Sequence, residues 1–201
     1  MGDATRFDRA IAAIDAANAD DPHVIVVQGV PQPKELAHAV LMTEWVQRLD
    51  PEASEAQLLA ARAHHLRRWT RPRTSYPDGR AGYLRWRTAL RKQHASEVAA
   101  LLESIGYDAE TIGRVRAIVN KDGLAASSGA TDPAVQTHED ALCLVFLATQ
   151  LTETADRLGD EKMVDVIRKT AAKMSPRALA LAADLPLSKG GRRLLEAALA
   201  G

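Results

Sequence analysis

Five histidines, His38, His64, His65, His94 and His138, and the adjacent acids Glu139 and Asp140 are the side chains of this sequence best suited to chemistry. Glu139-Asp140 stands at the entry to Ala141-Leu142-Cys143-Leu144-Val145-Phe146-Leu147, the most apolar run of the chain. A carboxylate entering such a segment is costly unless it is paired or bound to a metal. Asp140 shares a helical stripe with Thr137, Leu144 and Leu147 and is expected to point inward, the alternative being an ion pair with one of the arginines. His64 pairs by spacing with Arg68, and His65 with Trp69, on two different faces. Adjacent residues of a helix diverge by about 100°, so one of the two histidines packs in the core if the segment is helical throughout.

A second chemistry is written in the basic residues. Between Arg62 and Lys92 ten basic residues face the single acid Asp78, a net of +9 in a chain whose total charge is zero. A local concentration of this kind in a neutral protein points to one anion site rather than to broad nucleic-acid affinity. Arg87, Arg91 and His94 fall on one face at spacings of four and three, a cradle for phosphate. The planar guanidinium fork matches phosphate oxygens two at a time. Trp69, Tyr76, Tyr83 and Trp86 are interleaved with the arginines and are placed either to stack on a base or to pack the loop between two helices. Arg67, Arg68, Arg73, Tyr83, Arg87, Arg91 and Lys92 are therefore the expected phosphate contacts.

Helices must position these groups. Apolar residues make up 46% of the chain and aromatics only 4%, so the core is aliphatic and alanine-rich, a composition that favours helix. The periodicity predicts helices from about Thr5 to Ala19, Lys34 to Leu49, Ser54 to about Trp69, Gly82 to Gly106 and Asp108 to about Asn120. Further helices follow from Pro133 to about Leu158, from Glu161 to Lys173, from Ser175-Pro176 onward and near the C-terminal end. That makes eight or nine helices in an all-α domain spanning residues 1–201, with loops near 20–33, 70–81 and 121–132. Val24-Ile25-Val26-Val27 reads as a short extended piece, and no strand pair is expected. The single Cys143 lies in the apolar run and reads as a buried small hydrophobe. With no signal core and no apolar run near the ~20 residues of a membrane span, the expectation is a cytoplasmic protein without a membrane partner.

Ordered blocks along nearly the whole chain resemble the uncharacterised DUF4202 family. They run from Arg6-Phe7-Asp8, Pro33-Lys34-Glu35-Leu36 and Met42-Thr43-Glu44-Trp45 to His65-Leu66-Arg67-Arg68-Trp69. Ala81-Gly82-Tyr83-Leu84-Arg85-Trp86-Arg87-Thr88 is the longest, and Glu139-Asp140 and Lys173-Met174-Ser175-Pro176 complete the set. The layout also resembles, more distantly, the HD-domain metal phosphohydrolases. That likeness implies an HD-like helical fold and a divalent metal ion of unknown identity held by His38, by His64 or His65, and by Asp140. The aspartate that follows the second histidine in that family is absent, since His64 and His65 are followed by His65 and Leu66. Two functions follow as expectations. One is a metal-assisted phosphohydrolase on a small phosphorylated or nucleotide-like substrate, with His65, His94 and Glu139 as catalytic acid and base. The other is a metal-free module that binds a nucleotide or an RNA end through the same arginines and aromatics.

Overall fold

In the computed structural model, which describes residues 4–27, 29–124 and 131–200, the chain is all-α with one small hairpin. Helix α1 (Arg6–Ala19) opens with a reciprocal cap, in which Thr5 accepts from the Asp8 backbone and Asp8 accepts from that of Thr5. A two-stranded antiparallel hairpin follows, β1 (Val24–Val27) against β2 (Val30–Pro33). It corrects the expectation of no strand pair. Val24–Val27 is β-branched throughout, and Gly29 takes a φ of +80° in the connection. Pro31 and Pro33 are tolerated because a two-stranded sheet has only edges.

Helix α2 (Lys34–Leu49) is the central element, burying Glu35, Ala37, His38, Ala39, Met42, Val46 and Leu49 against its neighbours. Helix α3 (Glu55–Arg62) starts from a Ser54–Gln57 cap and stops seven residues short of the predicted Trp69. The reason lies at Arg67, whose φ of +50° is left-handed and whose N–H donates to Asn18 Oδ1 at 3.1 Å. Two 3-10 turns, Arg68–Thr70 and Arg73–Ser75, then carry the chain to α4 (Gly79–Ile105). Gly82 is obligatory there, because a Cβ at that position would sit 1.8 Å from the Pro77 carbonyl oxygen.

Helices α5 (Ala109–Asn120) and α6 (Pro133–Thr149) follow, and residues 125–130 of the predicted 121–132 loop lie outside the described residues. The predicted Pro133–Leu158 helix is broken at Gln150, after which α7 (Leu151–Leu158) begins. Helices α8 (Asp160–Ala171), α9 (Pro176–Ala183) and α10 (Lys189–Leu199) complete the chain. The break at Gln150 is why ten α-helices stand among the described residues where eight or nine were expected.

The buried apolar residues fall into two clusters. One joins Met42 and Val46 of α2 with Ala141, Leu144 and Leu147 of α6 and with the C-terminal helices. The other joins Ile14 of α1, Leu59 of α3, Val98 and Leu102 of α4, Ile118 of α5 and Val135 of α6. Helix α6 contributes Val135 to one and Ala141 to the other, and between them it buries His138, Glu139 and Asp140. Helix α3 does the same with Ala60 and Ala61, just before His64. A buried polar seam thus runs between the two apolar clusters. Among the described residues no helix is long and apolar enough to cross a membrane.

Candidate functional site

Glu35 and His38 stand one turn apart at the start of α2, so both point to the same side, and both are buried. Glu35 sits in the first helical turn, where the exposed N–H groups favour a negative charge. His38 Nδ1 lies 3.4 Å from Glu35 Oε2. The turn that ends α3 brings in His65, whose Nδ1 is 3.1 Å from the same oxygen. Within the described residues, one ligand atom from each of Glu35, His38 and His65 lies within 4.8 Å of the other two.

The donor set fits a divalent cation. Donor atoms of a tetrahedral site with bonds of about 2.0–2.1 Å stand roughly 3.3 Å apart, close to the two oxygen–nitrogen separations just given. One tautomer of His38 suits the same reading. Thr149 Oγ1 donates to the Val145 carbonyl at 2.7 Å, so it can accept from His38 Nε2 at 3.4 Å. With the His38 proton on Nε2, Nδ1 turns a lone pair toward the Glu35 oxygen, an arrangement a cation would complete. With the proton on Nδ1 the ring donates to that oxygen instead.

Arg68 closes the group on its outer side. Its Nη1 donates to His65 Nε2 at 2.9 Å, its Nε is 3.8 Å from Glu35 Oε1, and its guanidinium lies 5.0 Å over the Trp86 ring. Burial, then the neighbouring Arg68 charge, pushes His65 well below the ordinary imidazole range. The same two causes lower His94, whose ring is 5.7 Å from that of His65, to about 4. These imidazoles are neutral at pH 7 and carry one lone pair each, that of His65 accepting from Arg68.

The remaining expected residues divide. His64, expected at the metal, turns to His138 instead, with its Nδ1 2.8 Å from His138 Nε2. His64 Nε2, His138 Nδ1 and His94 Nε2 are buried with no partner among the described residues. Asp140, also expected at the metal, does not reach the group. Its Oδ1 accepts from the Ser175 N–H at 2.8 Å and from Gln136 Nε2 at 2.9 Å, tying the start of α9 to α6. Glu139 is ion-paired with Lys121 and lies 3.7 Å from Lys173. Burial alone would raise its pKa, but the two lysines together carry it lower, so it stays ionised and is spoken for. Lys121 reaches it from a left-handed backbone, φ +60°, at the end of α5.

Of the expected phosphate contacts, Arg68 is the one that touches the histidine–glutamate group. Arg73 donates to the carbonyls of Tyr76, Pro77 and Gly79 and so holds its own loop. Arg67 faces Glu97 at 3.8 Å on the surface. Tyr83 and Arg87 lie beside Trp86, with the Arg87 guanidinium 5.6 Å from the Tyr83 ring and the two rings 5.9 Å apart. Arg91 and Lys92 line a separate shallow cleft with Thr88, Asn120 and Asp122. Sequence reasoning passed over Glu35. The Glu35-x-x-His38 spacing on a predicted helix was the available signal, since it puts a carboxylate and an imidazole on one face.

Fold and site define an all-α protein with a buried carboxylate–histidine centre capped by an arginine. The chain belongs to the family described as Domain of unknown function (DUF4202), whose model matches residues 8–195. No curated protein and no solved structure matches it, so the HD-domain likeness gains no support from these comparisons.

Proposed function

We propose that the protein is a metal-assisted phosphohydrolase acting on a small phosphorylated or nucleotide-like substrate. The observation that carries this reading is the convergence of Glu35, His38 and His65, with His38 Nδ1 3.4 Å and His65 Nδ1 3.1 Å from the same carboxylate oxygen. Two histidines and one glutamate are a set that catalytic metals accept while keeping a position open. A divalent cation held there supplies an acidified water and polarises a phosphoryl oxygen.

The chain's own residues supply the rest. Glu35, in the first turn of α2, carries the charge that draws the cation in. Arg68 and Arg87 neutralise the phosphate from the outer side, and Tyr83 and Trp86 offer faces for an aromatic portion of the substrate. His94, neutral and with an Nε2 that has no partner among the described residues, takes up or delivers a proton. A cytoplasmic setting belongs to the same proposal and is supported by the free, buried Cys143.

A second reading is a metal-free module for the same ligands. It is favoured by one observation, that Arg68 satisfies His65 and neighbours Glu35 without any ion. Hydrolysis of nucleoside monophosphates and of a generic aryl phosphate, with and without added Mn²⁺ or Zn²⁺, separates the two. Metal-dependent release of phosphate that disappears in His38→Ala supports the enzyme. Binding of the nucleotides with no release under any metal supports the module.

A further inference from the structure

We propose that Arg68 bars the cation site in the ligand-free chain and that a bound phosphate releases it, so that cation and anion bind cooperatively. The inference rests on the metal reading above and adds its regulation.

A guanidinium can only donate hydrogen bonds. Arg68 Nη1 is 2.9 Å from His65 Nε2, so that nitrogen presents a lone pair and the ring's proton sits on Nδ1. There it donates to Glu35 Oε2 at 3.1 Å. A cation shared by Glu35 and His38 needs a lone pair on His65 Nδ1 instead. The proton must then move to His65 Nε2, where the Arg68 donor stands, and two donors cannot face each other. The guanidinium also lies 3.8 Å from Glu35 Oε1, so its charge already satisfies the carboxylate that would attract the ion.

Arg68 has a way out. Its side chain is 32% exposed, it rests over Trp86, and it opens the 3-10 turn that follows the left-handed Arg67. Trp86 is itself held by donating from Nε1 to the Arg71 carbonyl at 2.9 Å, so the surface under the guanidinium is fixed. Phosphate offers the guanidinium a two-pronged, charge-assisted partner better than one imidazole nitrogen. Once Arg68 turns to it, His65 moves its proton to Nε2 and Nδ1 becomes a ligand. Linkage makes the effect reciprocal, so the factor by which phosphate tightens the cation equals the factor by which the cation tightens phosphate.

The test is calorimetric titration of Mn²⁺ into the full chain and into Arg68→Ala, each with and without inorganic phosphate at matched ionic strength. Circular dichroism checks the fold, and Arg68→Lys, which keeps the charge but not the fork, stands in if the alanine variant does not fold. The expected result is that Arg68→Ala binds Mn²⁺ about tenfold more tightly than the wild type, the worth of one hydrogen bond to a charged group. Arg68→Lys falls between them. Phosphate tightens Mn²⁺ binding to the wild type severalfold and leaves Arg68→Ala unmoved. Equal or weaker Mn²⁺ binding by the variant, or an equal response of both proteins to phosphate, overturns the inference and leaves the metal site standing. Failure of both proteins to take up Mn²⁺ under any condition overturns both readings.

Discussion

His64 Nδ1 lies 2.8 Å from His138 Nε2, so two imidazoles share one proton in the middle of the helical body. Whichever ring donates, its outer nitrogen and that of its partner are left buried without a partner among the described residues. The hydrogen bond is lost once both rings are protonated, because neither then has a lone pair to accept with.

The first prediction concerns acid. Burial, then Lys121, pushes His138 down to about 3, and burial, then Arg68, pushes His94 to about 4, against an unperturbed 6.5. Both rings are neutral when folded and take a proton near 6.5 once unfolded, so acid favours the unfolded chain. Their contribution is whole above pH 6.5 and is lost as pH falls from there toward 4 and then 3. At about pH 5 each has given up about 2 kcal/mol. Urea unfolding at about pH 7.5 and about pH 5 should show that loss, and His138→Gln should flatten part of it. A midpoint that does not move over this interval contradicts the neutral, buried assignment.

The second concerns Glu139, which is buried, and Lys121, whose side chain is only 10% exposed. Removing one member of such a pair strands the other charge. Glu139→Gln should therefore destabilise the chain by about 3–5 kcal/mol, while Lys121→Met combined with Glu139→Leu should recover much of that loss. Chemical denaturation checks each, with the wild type, Lys121→Met and Glu139→Leu alone and the double variant forming the double-mutant cycle. Additive losses in the double variant would mean that the two side chains act independently.

A third separates structural from chemical carboxylates. Asp140→Ala removes the acceptor of the Ser175 N–H and of Gln136, at a cost of about 1–3 kcal/mol. It should lower the melting temperature and leave Mn²⁺ affinity as it was. Glu35→Gln should do the reverse at the site, abolishing Mn²⁺ uptake. Loss of uptake in Asp140→Ala with the fold intact would return Asp140 to the ligand set.

Helix positions were readable wherever a period and a cap agreed, as for α1 after Thr5 and α5 after Asp108. The reading overran at α3 because nothing in His64-His65-Leu66-Arg67 announces a left-handed arginine, which depends on Asn18 from another helix. It overran again at Gln150, where no glycine or proline marks the break. The hairpin was hidden by prolines that a lone pair of edge strands tolerates. At the site, composition identified the imidazoles and the Arg68 segment. The partners of each depend on how helices 30 to 110 residues apart pack against one another. Hence His64 was matched to a metal and met His138, and Asp140 was matched to a metal and met a helix start. Glu35 was overlooked because an acid in a first helical turn is usually only a favourable charge for the helix end.

The central claim, that Glu35, His38 and His65 hold one cation, is tested most directly by anomalous diffraction from crystals grown with Zn²⁺ and phosphate. A single strong peak at roughly 2.0–2.2 Å from Glu35 Oε2, His38 Nδ1 and His65 Nδ1, with Arg68 turned away from His65, is the predicted result. A map with no peak there, or with zinc bound at other histidines while Arg68 still donates to His65, would contradict it.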